Sequence, residues 1–592
     1  MSRRFLAAVL AAALLAAGCS SSSSGSGQSG GQNGTVTFAL PPNATPNWIL
    51  PLGIPGHLAS YNSSIYQLLF VPLVAYNGSS GTVAFDEKAS SARKPEFSAD
   101  GKTVTVTLKD NLTWADGSKL TTRDVEFWYN LVKYNKTKWG GYAKGRMPDN
   151  MVEFKTIDEK TFQFILDKPY NPEWFTAVQL TNVRPMPQKV FDKTSADGAI
   201  GDHDRTEAGA QQVFDFLVAQ AKDLPTYQTN PLWKAGNGPF AVEEFTTGGQ
   251  VTLVKNPKYT GDDASKVNKV VFKPFTSADA EFNVLQTGGV DYGYLASANL
   301  NQRSALESKG YQIQPWKGWA ITYIPYNFNN PQAGPIFKQL YVRQAIQHAV
   351  DQDSIVKNIW RDMAVAGYGP VPQDPASPLL SDTQKTNPYP FDIAKAKTLL
   401  ESHGWTTGAD GVAACGDPSR CGEGIPAGAQ LKFTLLAESG SKETDNMMAE
   451  LKSSLSKIGV ALELKQAPLN TVLGNSKACQ STAPECSWHM SFFGTQGSWY
   501  FNAYPSGERI FGTGATSNLG SYSDPKADEL IGASTSTADH DSIKAYGDYL
   551  TKELPVIWLP NPVYQVSAVK KNVNIGNQDP LAAMQPQRWT VS

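Results

Sequence analysis

Between Leu431 and Leu464 the spacing of apolar side chains changes period twice, and this limits the folds open to the chain more than any other feature. Leu431 to Ala437 reads as a strand. Within Glu443 to Ile458 the residues Met447, Met448, Leu451 and Leu455 recur at helical spacing, Gly459 stops the helix, and Val460, Leu462 and Leu464 alternate. A strand, a helix and a strand in that order are expected to form a parallel, right-handed crossover.

The same grammar recurs elsewhere. Thr35 to Leu40 reads as a first strand, closed by Pro41 and Pro42. Lys102 to Leu108 alternates and Asp116-Gly117 supplies a turn. Thr121-Thr122-Arg123-Asp124 then matches a capping box ahead of Val125, Trp128, Tyr129 and Val132. Asp392 opens a helix that ends near Gly404, and Ser277 to Gln286 forms another, stopped by Gly288-Gly289. The fold class is therefore mixed α/β. No repeat or low-complexity break follows Thr35, so lobes within the body must be joined by short hinges.

The beginning of the chain has a different character. Arg3 and Arg4 precede an apolar run from Phe5 to Ala17, then Gly18 and Cys19, the layout of a secretory signal. At 1.5 Å per residue such a run covers about 20 Å, short of a bilayer core. Ser20 to Gly34 is almost wholly Ser, Gly, Gln and Asn and reads as a flexible leash.

Four further cysteines, Cys415, Cys421, Cys479 and Cys486, suit an oxidising compartment. Pairs 415–421 and 479–486 are expected; three pairings are open, and a four-thiolate zinc site is the rival. With 41% hydrophobic residues the 592-residue chain can build large cores, and its net charge of −2 offers no field for a polyanion, which argues against nucleic acid.

Catalytic constellations are weak. Gly27-Gln28-Ser29-Gly30-Gly31 satisfies the hydrolase elbow pattern but lies in the leash. Asp100-Gly101-Lys102-Thr103 ends like a phosphate loop yet leads into a strand. Asp202-His203-Asp204 is the local cluster that invites a metal, and a solvated acidic loop is the expected reading. No enzyme activity, cofactor or metal is expected.

The stretch from Leu112 through Trp114, Asp116-Gly117 and Thr122 to Asp124-Val125 resembles the signature of the family-5 extracellular solute-binding proteins, the dipeptide- and oligopeptide-binding group of ABC importers. Gly236-Asn-Gly238-Pro239-Phe240, Lys255-Asn256-Pro257, Val342-Arg343-Gln344-Ala345-Ile346, and Tyr389-Pro-Phe391-Asp392 with Gly404-Trp405 are similar to its other landmarks, from about residue 35 to about 566. Leu15 to Cys19 resembles a bacterial lipobox, which implies a lipid anchor on Cys19 after removal of residues 1–18.

The resemblance implies a two-lobed, periplasmic-binding-protein-like fold with an added subdomain. Lobe I would take residues 35–75, 186–315 and 549–592, the subdomain 76–185, and lobe II 316–548. It also implies a monomer outside the cytoplasmic membrane that closes on a peptide and delivers it to a permease and ATPase. Peptide binders of this group carry an aspartate for the ligand's amine, whereas the matching segment, Phe492 to Phe501, has no carboxylate. Trp499, Tyr500 and Phe501 are then candidate ligand contacts, for a sugar face or an apolar side chain, with Trp48 beside Asn47, Tyr326 and Asn327 as further candidates; an oligosaccharide or metal chelate is the alternative ligand. Trp114 and Trp128 are expected in the core.

Overall fold

The computed structural model describes residues 34–592 apart from 43, 480–482 and 496. The expected signal segment, Cys19 and the leash lie outside the described residues.

Thr35–Pro42 is the buried centre of a seven-stranded sheet. It pairs in parallel with Lys269–Phe275 and Tyr292–Leu295, and the helix Ala278–Gln286, capped by Ser277, crosses between those two. Val251–Lys255 and Phe240–Phe245 extend one side of this sheet; Gln565–Lys570 and Tyr311–Trp316 extend the other. Phe38 packs edge-on against Tyr292 at 4.9 Å and Phe272 at 5.9 Å, tying the central strand to both parallel neighbours.

A four-stranded antiparallel sheet, ordered Glu96–Phe97, Thr103–Thr107, Thr161–Leu166 and Met151–Thr156, forms the core of a second unit. Its helix Thr122–Tyr134 buries Val125, Trp128, Tyr129 and Val132, the face that the sequence pattern marks. The first turn is fixed by Asp124, whose carboxylate accepts from Thr121 N at 2.8 Å and from Gln188 N at 3.0 Å. Gly117, at φ 86°, makes the turn that brings Ser118 O back to Trp114 N. Trp114 and Trp128 are core residues.

The strand, helix and strand expected after Leu431 are Lys432–Glu438, Lys442–Ser456 and Ala461–Ala467, and the strands are parallel. Met490–Phe492 joins as a third parallel strand, and Met490 bridges to Tyr326 at the end of Ala320–Pro325. Ala320–Pro325 pairs with Val556–Leu559 and with the short strand Trp499–Tyr500.

Val556–Leu559 thus belongs with this third region. The expected division at 548/549 falls within the helix Asp541–Glu553, which packs against the helix Pro525–Ser536. The chain crosses between the seven-stranded sheet and the third region at residues 317–319 and returns at 560–564.

Cys415–Cys421 and Cys479–Cys486 form the two expected disulfides, which leaves no four-thiolate site. The acidic cluster differs from its expected solvated state. Asp192 and Asp204 are fully buried, Asp202 alone is exposed, and Arg123 lies among them, 2.9 Å from Asp202 and paired with Asp204. A cation is already supplied by the chain, and Asn130 Nδ2 donates to Asp204 at 2.8 Å.

Candidate functional site between the crossing segments and the subdomain

Trp499 and Tyr500 stand beside both crossing segments because their strand pairs with Ile321 and Ala320, just after residues 317–319. Gly318 makes room for this: a Cβ there would come within 2.9 Å of the Tyr500 ring. From the returning segment, Tyr564 meets Tyr500 edge-on at 5.8 Å, and Ser60, at the start of the helix Ser60–Leu69, lies beside Tyr564. Tyr500 keeps 38% of its surface exposed, yet desolvation pushes its phenol well above the ordinary value. Tyr500 is thus partly open to solvent while one side of its ring is covered by Tyr564 and by the backbone at Gly318.

Facing this wall, the four-stranded unit touches the third region through polar groups. Arg146 forms an ion pair with Glu508, and its guanidinium lies 5.6 Å from the centre of the Trp174 ring. Trp174 Nε1 donates to Ser506 Oγ at 3.0 Å, and Asn171 Nδ2 to Tyr504 Oη and Ser534 O, both at 3.2 Å. His540 Nε2 stands 2.6 Å from the Glu173 carboxylate. Arg509, next to Glu508, sits over Trp499 at 5.2 Å. Burial, then repulsion from Arg509, lowers the Arg146 guanidinium to about 10, and desolvation lowers that of Arg509. Aromatic faces and shielded guanidiniums suit reversible capture of a polar solute.

The other candidates lie elsewhere. Trp48 is wholly buried and stacks on His57 at 4.5 Å; Asn47 beside it is bonded to Asn62. Tyr326 is wholly buried between Phe337 and Phe328. Asn327, also fully buried, donates from Nδ2 to Trp488 O at 2.9 Å and anchors the chain around the 479–486 disulfide. These three therefore expose no surface to a ligand in this conformation, and their side chains are committed to packing and loop anchorage. Phe501 is nearly buried, with its backbone bound to Trp319 O. Of the six, Trp499 is half-buried and Tyr500 exposed, and the other four are buried.

Arg146, Trp174, Glu508 and Arg509 were not singled out from sequence. Glu508-Arg509 after Gly507 is a local signal of charge beside an aromatic segment; Arg146 has none, since its partner is hundreds of residues away. At the hinge itself, Gly318, Thr322, Gly367, Trp558 and Asn561 line a cavity of about 20 Å³, room for a water and not for a solute.

The comparisons agree with this architecture. The chain resembles CtaP, an ABC transporter substrate-binding protein of Listeria monocytogenes, with a TM-score of 0.70 at 20% identity over 94% of this chain and 99% of that one. It resembles the oligopeptide-binding protein AppA of Bacillus subtilis, solved with a nonapeptide, at 0.63 and 18% over 95% and 99%. In sequence it is 25% identical over 336 residues to a Brucella ovis protein named for ABC-transporter peptide binding, and it spans about half the length of that relative, 55% of it and 57% of this chain. The oligopeptide-binding protein OppA of Lactococcus lactis is 23% identical over 75% of this chain and 70% of its own length. Residues 88–518 match the family described as bacterial extracellular solute-binding proteins, family 5 Middle. With that match covering well over half of its length, the chain belongs to the family-5 extracellular solute-binding proteins, and its fold is the mixed α/β fold of that type.

Proposed function

We propose that the chain is the extracytoplasmic peptide-binding component of an ABC importer, a binder and not an enzyme. It captures its solute by closing the seven-stranded region and the third region about residues 317–319 and 560–564. The single observation that carries this reading is the placement of the accessible aromatics Trp499 and Tyr500 at the crossing segments, beside a polar seam through Arg146, Trp174 and Asn171. Relatives named for oligopeptide binding support peptides as the ligand class.

On this reading lobe I comprises about 35–75, 186–316 and 565–592, the subdomain 76–185, and lobe II 320–559, shifted from the sequence expectation by the pairing of Val556–Leu559. The closed form is the one the permease and ATPase receive, because ligand stabilises it by differential affinity. A lipid on Cys19 and the following leash keep a monomer at the outer face of the membrane. Among the described residues no helix is long and apolar enough to cross a membrane. Isothermal titration with a tripeptide mixture and an oligosaccharide mixture tests the ligand class: heat from peptides supports the reading, and heat from sugars alone contradicts it.

A further inference from the structure

One guanidinium at the seam, that of Arg509, has no acid paired with it among the described residues. Arg146 is paired with Glu508, and the same carboxylate also lies 3.4 Å from Trp174 Nε1. Arg509 has no carboxylate partner among the described residues; its side chain is exposed, and its guanidinium rests 5.2 Å above the Trp499 ring. Glu508 is therefore engaged by Arg146, Glu173 by His540, and no ion pair joins Arg509 to either acid. The wall segment from Phe492 to Phe501 adds no acid.

On the opposite side Arg184, also without a carboxylate among the described residues, lies 5.7 Å from the ring of Tyr66. Tyr66 belongs to the helix Ser60–Leu69, whose first residue lies beside Tyr564. Desolvation lowers the guanidinium pKa of Arg146, Arg184 and Arg509 alike, so a counter-charge brought to them has more effect than it would in open water. A peptide amine brought to this wall meets two guanidiniums and a carboxylate already engaged; a carboxylate meets a free guanidinium above an aromatic face.

We propose that the site selects a ligand of net negative charge, with a ligand carboxylate seated on Arg509 over Trp499 and the Arg146–Glu508 pair beside it. This deepens the reading of Trp499 and Tyr500 as the ligand wall and rests on it. The guanidinium takes the carboxylate in a two-point hydrogen bond, and the indole beneath fixes the plane of the fork. Arg509 is thereby a specificity-determining residue, and acidic ligands replace the amine recognition for which this chain has no acid.

The test titrates the full chain with N-acetyl-triglutamate, its C-terminal amide, trialanine and trilysine amide, and repeats the set on Arg509→Gln and Arg509→Lys. The acidic peptides are expected to bind about tenfold or more tighter than trialanine, the weight of one charge-assisted hydrogen bond. Arg509→Gln should erase that preference, Arg509→Lys should restore part of it, and higher salt should weaken it. Equal binding of the acid and its amide assigns the carboxylate to a ligand side chain; loss on amidation assigns it to the terminus. Trialanine or trilysine amide binding as tightly as triglutamate, or a preference unchanged in Arg509→Gln, overturns the proposal and leaves the importer reading standing. Binding of none of the four, with Trp499→Ala also without effect on any captured solute, overturns the proposal together with the wall.

Discussion

Glu508→Gln keeps the size of the side chain and removes its charge from the seam. The Arg146 and Glu508 side chains are 17% and 21% exposed, between a surface pair worth at most about 1 kcal/mol and a buried pair whose disruption costs roughly 3–5 kcal/mol. A loss of about 2 kcal/mol follows, part of it from leaving the half-buried Arg146 without its carboxylate. Because the pair spans the four-stranded unit and the third region, the loss falls on closure and not on either core. At about 1.4 kcal/mol per factor of ten, the closed population of the ligand-free chain drops about 30-fold and ligand affinity weakens with it. Small-angle scattering reads the first effect as a larger radius of gyration, and calorimetry reads the second. A variant with unchanged scattering and affinity refutes the reasoning. So does one that loses the same free energy in a urea melt without opening, since the pair would then support the fold of one region.

Glu281 is almost wholly buried, its carboxylate accepts from Tyr294 N at 3.1 Å, and burial raises its carboxyl to about 8. A carboxyl raised on folding binds its proton more tightly in the native state, so its stabilisation is complete below the unfolded value near 4.5 and is lost as pH rises through about 8. Thermal melts from pH 5 to 9 should fall at the alkaline end, and Glu281→Gln should flatten that fall; parallel curves contradict it. Replacing Cys479 and Cys486 by Ser together should cost about 2 kcal/mol, from the entropy of a loop of seven residues, seen as a lower urea midpoint, and an unchanged midpoint contradicts it. Asp124→Ala removes the acceptor for Thr121 N and Gln188 N and should cost about 1–3 kcal/mol by the same measurement. Arg123→Met leaves Asp192 and Asp204 buried without their cation and should cost about 3–5 kcal/mol at pH 7, recovering as the pH falls and the carboxyls protonate.

Local chemistry made much of the fold legible. The period change around Glu443 gave the crossover, Asp124 and Asp392 announced their helices, and Gly459 does sit at φ 80° where the helix ends. Each of these signals acts over a few residues. The site was less legible because its geometry is long-range. Trp48 and Tyr326 are large aromatics near the ends of strands, a position compatible with a cleft or a core, and only packing against His57 and Phe337 places them inside. Asn327 offered a donor and an acceptor, and both are spent on its own region: Nδ2 bonds carbonyls around the second disulfide, and Oδ1 accepts from Asn329 N. The acidic run at Asp202 looked solvated because its counter-ion, Arg123, is some eighty residues earlier in the chain. The pairing of Val556–Leu559 was hidden for the same reason, since nothing near Val556 reveals that its partner strand begins at Ala320.

The most direct measurement of the central claim is native mass spectrometry of the purified chain, first as isolated and then mixed with peptides of defined charge. The account predicts one peptide per chain, acidic peptides captured ahead of neutral ones, and loss of capture on Trp499→Ala. A chain that emerges without ligand and takes up no peptide of any charge contradicts the claim that it is the peptide-binding component of an importer.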